Sequence, residues 1–288
     1  MRLIDTHLHL WDPNRFDYAW LDAVPGLRQT FGLAELADAS IPAEGELREY
    51  VFMQADCAPA QAVAEVDWVA ELAEDAPIRG IIAFAPVEDE SGLDASLEHF
   101  ASRPLVKGVR RLLQSEPAGF SRSEAFLAGA RRLTGAGLTF DACVTADQLE
   151  DVAVLARAVP DLRIVLDHLG KPTIGEAGTA DRDGFDRWRA DLGNVAAEPN
   201  VCVKLSGLPA QATASWTTAL LTPYLDAALD AFGAERTMFG SDWPASSGQS
   251  SYQRWIEFVQ EWLEGAVDDE DAQRIRFMNA QRVYRLPS

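Results

Sequence analysis

The chain has 288 residues, an apolar share of 48 % and a formal net charge of −20. That length supports one large core, and an acidic surface excludes nucleic acid and anionic membranes as natural partners, since both need a basic face. Three cysteines at wide spacing with no C-x-x-C read as reduced thiols and give a cytoplasmic expectation; no secretory signal and no membrane span is expected either.

Eight apolar runs bounded by Gly, Pro, Asp or Asn are expected to form strands. They cover Leu3–Leu10, Tyr50–Ala55, Ile78–Val87, Val106–Gln114, Leu138–Val144, Arg163–Leu169, Val201–Leu208 and Thr237–Pro244. The segments between them carry helical stripes. Ala62, Val66, Val69 and Ala73 form one stripe, and Leu93, Leu97 and Phe100 form the next. Ser121-x-x-Glu124 and Thr145-x-x-Gln148 are expected capping boxes, each opening a helix. Leu225, Ala228, Leu229 and Phe232 lie on one later face, and Trp255, Ile256, Val259, Trp262 and Leu263 on another. Strand alternating with helix predicts an α/β protein, a single (β/α)8 TIM barrel over residues 1–288. The competing open doubly wound sheet lacks its Gly-rich loop after the first strand. Two long irregular segments remain, Trp11 to about Leu33 and Gly170 to about Asp183. The first carries Trp11, Phe16, Tyr18 and Trp20, and is expected to be a lid or one wall of a pocket.

In such a barrel the site lies at the C-terminal ends of the strands. The first strand offers His7 and His9, which face one side if the strand is regular. Paired imidazoles suit either a divalent metal or two donors aimed at one substrate oxygen. The sixth strand offers His168 and the eighth Asp242. Three of the four histidines therefore fall at strand ends, while His99 sits on a helix and reads as a surface residue. The fourth strand offers Arg110, Arg111 and Gln114. Arg110 and Gln114 share a face, and the alternation lets only one of the two arginines point inward.

The ordered set Ile4-Asp5-Thr6-His7-Leu8-His9-Leu10-Trp11-Asp12-Pro13, Val106-Lys107-Gly108-Val109-Arg110, Leu166-Asp167-His168-Leu169-Gly170-Lys171-Pro172, Lys204-Leu205-Ser206-Gly207-Leu208, Met238-Phe239-Gly240-Ser241-Asp242-Trp243-Pro244 and Asn279-Ala280 resembles the amidohydrolase superfamily. The resemblance is to its lactonase branch, with sugar-acid, pyrone-dicarboxylate and sulfomuconolactone lactonases, and it spans nearly the whole chain. It implies a (β/α)8 barrel that hydrolyses a small lactone, with His7, His9, His168 and Asp242 as the catalytic set.

Lactone hydrolysis needs an activated water, a polarised carbonyl and a proton for the departing alkoxide. Asp242 is the expected general base and then acid. The three histidines either bind one divalent ion with Asp242, zinc by preference, or act without metal by hydrogen-bonding the carbonyl oxygen. A binuclear centre is not expected, because Lys107 lies at the wrong end of its strand and the fifth and seventh strands offer no histidine. Arg110, Gln114, Trp11, Trp20 and Trp243 are the expected substrate contacts, the arginine through hydrogen bonds and the indoles by stacking on a sugar ring. For Arg110 the alternative is an ion pair with Asp56 or Asp141. Two other readings stand beside lactone hydrolysis: a mononuclear amidohydrolase or non-oxidative decarboxylase of a small carboxylic acid, and a non-catalytic barrel that binds a sugar or metal.

Overall fold

The computed structural model of the protein describes residues 1–175 and 182–287. Its eight strands are β1 (Arg2–Leu8), β2 (Leu47–Met53), β3 (Ile78–Ala83), β4 (Val106–Arg110), β5 (Thr139–Ala142), β6 (Ile164–Leu166), β7 (Val201–Leu205) and β8 (Thr237–Phe239). They pair in parallel and in sequence order. The ends meet through the Leu8–Trp243 bridge, with the N–H of His9 donating to the Trp243 carbonyl and that of Asp242 to the His7 carbonyl, each at 2.8 Å. The architecture is a (β/α)8 barrel.

The helices that cover the barrel follow from their apolar stripes. In Ala62–Leu72, the residues Ala62, Val66 and Val69 are buried, and in Tyr252–Ala266 the face Trp255, Ile256, Val259, Trp262 and Leu263 is buried. Such faces contribute most of a helix's stability in a protein of this kind. The helix expected to open at Ser121 begins later: Ser123 is its cap, accepting the Phe126 N–H at 3.3 Å, while Ser121 is buried in the preceding turn Phe120–Arg122. The box at Thr145 forms as expected and leads through the turn Ala146–Gln148 into Leu149–Ala158.

The strands stop short of the apolar runs. β4 ends at Arg110 rather than Gln114, β6 at Leu166 rather than Leu169, and β8 at Phe239 rather than Pro244. Past β6 and β8 the chain stays buried, and past β4 it is half-buried around Leu113, so hydrophobicity continues where the hydrogen-bond ladder has ended. Gln114, His168 and Asp242 consequently stand on loops.

The aromatic segment after β1 is a wall. Trp11 and Phe31 form an antiparallel bridge, with N–H to carbonyl bonds of 3.0 and 2.9 Å in the two directions. Two short turns, Ala19–Ala23 and Pro25–Leu27, fill the space between. Of the second irregular segment, residues 176–181 lie outside the described residues. No helix among the described residues is long and apolar enough to cross a membrane.

Candidate metal centre

The three histidines expected at strand ends converge on one atom. The Nε2 of His9 lies 3.5 Å from Asp242 Oδ1, and those of His7 and His168 each lie 3.8 Å from it. His7 comes from β1, whose register shifts between Asp5 and Leu8, and His9 follows immediately after the strand. Their rings sit edge to face, 5.0 Å apart.

The other two groups arrive by left-handed backbone. His168, Leu169, Gly170 and Lys171 all have φ between 51° and 72°, and Asp242 has φ 61°. Consecutive left-handed L-residues are costly, and the surrounding structure must impose them. Here the Lys171 N–H bonds the His168 carbonyl at 2.8 Å and the Trp188 indole bonds the Leu169 carbonyl at 2.9 Å. Gly207 makes room for the imidazole, since a Cβ there would lie 2.3 Å from His168 Nδ1.

Each ring is oriented from behind. His7 Nδ1 bonds Asp167 Oδ1 at 3.1 Å, His9 Nδ1 the Met53 carbonyl at 2.8 Å, and His168 Nδ1 the Ser206 hydroxyl at 3.0 Å. A carbonyl or carboxylate only accepts, so His9 and His7 carry their proton on Nδ1 and present a lone pair at Nε2. Burial pushes the His7 imidazole well below its usual value and that of His168 down to about 4, although Asp167 and Asp242 respectively oppose this. Burial alone would raise the Asp242 carboxyl; the imidazoles of His168, His9 and His7, when protonated, reverse that and hold it well below the usual carboxylate range. Lone pairs and a carboxylate oxygen facing one another at 3.5–3.8 Å fit a cation between them. Among the described residues two groups have ligand geometry, His7 with His9 and Asp242, and His7 with Asp167 and His168. A backing partner for every imidazole is the usual support of a metal site. Neutral imidazoles protonated at Nδ1 cannot donate through Nε2, so the metal reading of His7 and His9 fits better than donation to an oxyanion.

Beneath His7 runs a fully buried line of charge. Asp167 Oδ1 also meets Lys204 Nζ at 3.2 Å, Lys204 donates to Asp141 Oδ2 at 2.6 Å, and the Tyr284 hydroxyl donates to the same oxygen at 2.6 Å. Burial opposes ionisation of Asp167, but Lys204 and His7 prevail and hold it well below the usual range.

The centre opens into a cavity of about 250 Å³ lined by His9, Trp20, Arg110, Gln114, His168 and Asp242, among others. Arg110 points inward. Its Nη2 donates to the Gln54 carbonyl at 2.5 Å, its Nη1 lies 3.3 Å from His7 Nε2, and its nearest carboxylate is Asp167 at 3.7 Å, not Asp56 or Asp141. Arg111 faces away, to Glu88 at 2.8 Å and Glu116 at 2.6 Å. Gln114 Oε1 accepts from the Lys171 ammonium. The Trp20 indole is half-buried and donates to the Ala55 carbonyl at 2.8 Å.

Of the three expected stacking residues, Trp11 and Trp20 line the cavity and Trp243 does not. Trp11 does so beside Trp20, although its side chain is buried and its indole N–H is bonded to the carbonyls of Leu27 and Gln29. Trp243 packs on Phe31 and Tyr252, and its contribution to the site is the backbone carbonyl that fixes His9. The Trp243 ring is drawn into apolar packing next to the strand end. His99 stands apart, 3.2 Å from Asp67. Asp56 and Lys171 also line the cavity; the sequence offers Asp56 at the end of the second strand, as a possible partner of Arg110, and gives Lys171 no role. The available signal for Lys171 is its position in the Gly170-Lys171-Pro172 motif directly after His168.

The amidohydrolase family model matches residues 4–286. An L-fucono-1,5-lactonase of Burkholderia multivorans is 31 % identical over 296 residues, covering 99 % of this chain and 96 % of that protein. The crystal structure of an amidohydrolase from Burkholderia multivorans with bound zinc superposes with a TM-score of 0.88 at 29 % identity, and one with bound HEPES with 0.89 at 30 %; both comparisons cover 100 % of each chain.

Proposed function

The chain belongs to the amidohydrolase family and is an enzyme of the hydrolase class with a divalent-metal site, and from that premise we propose that it opens the ring of a small sugar-acid lactone by adding water to its carbonyl. The observation that carries this reading is the convergence of three imidazole Nε2 atoms on Asp242 Oδ1 at the floor of a cavity with an indole wall. The similarity to an L-fucono-1,5-lactonase supports the same substrate class.

Asp242 takes the proton from water and returns it to the departing alkoxide. Ser246 holds the carboxylate in place for both transfers. Oδ2 accepts the Ser246 hydroxyl at 2.6 Å, and the Asp242 carbonyl accepts the Ser246 N–H at 3.0 Å. Oδ1 is left toward the centre, in ionised form, as a general base requires. His7, His9 and His168 with Asp242 would hold a divalent ion, zinc by preference, which when bound supplies Lewis acidity at the carbonyl oxygen. Arg110 offers a buried guanidinium beside His7, suited to a ring or carbonyl oxygen of the substrate. Trp20 stacks on the apolar face of the ring, and Gln114 with Lys171 forms a polar edge opposite.

The test is acid release from a panel of aldonolactones. The wild-type protein is expected to turn over at least one, and Asp242→Asn to reduce the rate about a thousandfold without unfolding the barrel. Full activity in that variant would overturn the mechanism. Turnover of amides, or release of carbon dioxide, with none on lactones would replace the reaction.

A further inference from the structure

Asp56 is the one carboxylate lining the cavity besides Asp242 among the described residues, and its setting is specific. The residue has φ 59° and an exposed side chain at the cavity mouth. Its N–H donates to Gln54 Oε1 at 2.6 Å. Gln54 is buried, and its carbonyl is the acceptor for Arg110 Nη2 at 2.5 Å. One buried glutamine thus fixes both Asp56 and Arg110, the first through its side chain and the second through its backbone. The Asp56 carboxylate itself makes no hydrogen bond or ion pair within 4 Å to any described residue, whereas the Lys171 ammonium is already engaged by Gln114. Asp56 and Trp20 also line the neighbouring cavity toward Asp17 and Arg28, so the carboxylate stands at the rim of the indole wall.

The geometry points to Asp56 as a specificity-determining residue that accepts hydrogen bonds from the hydroxyl groups of a neutral, polyhydroxylated ring seated on Trp20. The inference rests on the lactonase reading and deepens it. A carboxylate is acceptor only, with room for two donors, so it suits adjacent hydroxyls and binds them through charge-assisted bonds. It disfavours a second carboxylate on the substrate by like-charge repulsion. It acts in the same sense on the product, because ring opening turns a neutral lactone into a hydroxy acid whose new carboxylate shares the cavity with Asp56 and Asp242.

Two variants suit the left-handed backbone: Asp56→Asn, which keeps the shape and removes the charge, and Asp56→Gly, which removes the side chain. The readout is the ratio of kcat/KM for an aldono-1,5-lactone to that for δ-valerolactone, the same ring without hydroxyls. The ratio is expected to fall about tenfold in Asp56→Asn and about a hundredfold in Asp56→Gly. A ratio within threefold of the wild type in both variants overturns the assignment, since a structural role lowers both substrates together. Calorimetric binding of a 1,5-anhydrohexitol, a polyhydroxylated ring with no carbonyl, supplies an arm independent of catalysis, and its affinity should drop about tenfold in each variant. Asp56-dependent binding in a protein that opens no lactone sinks the proposed function and leaves the assignment standing. Lactone opening with an unchanged ratio does the reverse, and a wild type that neither opens lactones nor binds the anhydrohexitol overturns both.

Discussion

Asp242 and His7 are joined twice: the Asp242 N–H donates to the His7 carbonyl at 2.8 Å, and His7 Nε2 lies 3.8 Å from Asp242 Oδ1. The first bond closes the barrel between β8 and β1, and the second belongs to the metal centre. Closing the barrel and assembling the centre are therefore one event, and a cation bound there binds the folded state alone. At a zinc concentration about a hundredfold above its Kd, mass action adds about 3 kcal/mol, and stripping the metal should lower Tm on the order of 5 °C. Thermal melts of chelated and zinc-reloaded protein test this; coincident melts would remove the metal from the account.

Gly207→Ala should weaken zinc binding while leaving the barrel intact. The added methyl would sit 2.3 Å from His168 Nδ1, and φ +65° is unfavourable for alanine. The imidazole must turn and lose the Ser206 hydroxyl behind it. A loss of metal affinity on the order of 10–100-fold is expected, as for other supporting partners of metal ligands. Competition with a chromophoric chelator measures it, and unchanged affinity would show that His168 does not ligate.

The two adjacent arginines should separate cleanly. Arg110→Lys is expected to lower kcat/KM about a hundredfold, because a lysine cannot reach the Gln54 carbonyl and the cavity at once. Arg111→Lys, at the outer Glu88 and Glu116 pair, should stay within about threefold of wild type. Equal effects from the two would mean that the inward position carries no substrate contact.

Glu65 gives a pH dependence of stability. It is buried beside Cys57, Tyr18 and the Ala55 N–H, and burial pushes its carboxyl up to about 7 despite those bonds. Between about pH 4.5 and 7 the unfolded chain has lost this proton and the folded chain has kept it, so stability declines as pH rises through that window. Glu65→Gln removes the decline. Relative to wild type the variant should gain about 3 kcal/mol between about pH 4 and pH 8. Urea unfolding across that range decides it, and parallel curves for the two proteins would contradict the buried neutral acid.

The strand order and the pairing of His7 with His9 were legible because both depend on short-range periodicity. His168 and Asp242 were legible as residue types following apolar runs, but not as left-handed positions, since nothing local distinguishes Asp167-His168 in a strand from Asp167-His168 in a turn. The shift of a cap from Ser121 to Ser123 has the same origin: both serines precede an acidic residue and an apolar run, and tertiary burial of Ser121 decides between them. The line Tyr284, Asp141, Lys204 and Asp167 was out of reach, because its members come from four separate segments and meet only when the barrel closes. Trp243 shows the opposite failure. Its position beside a ligand pointed to the substrate, while its apolar area drew it into the packing behind.

The bridge between Trp11 and Phe31 has a consequence for how this protein could acquire a new substrate. The indoles of the wall lie in residues 11–31, pinned at both ends and anchored to Ala55 through Trp20, and the metal ligands lie outside that stretch at His7, His9, His168 and Asp242. Exchanging the span between the two pinned residues for one of different length reshapes the chamber while the bond-breaking atoms keep their places. The aromatic half of recognition is thus a cassette of its own on the barrel, and it can be redrawn without renegotiating the reaction.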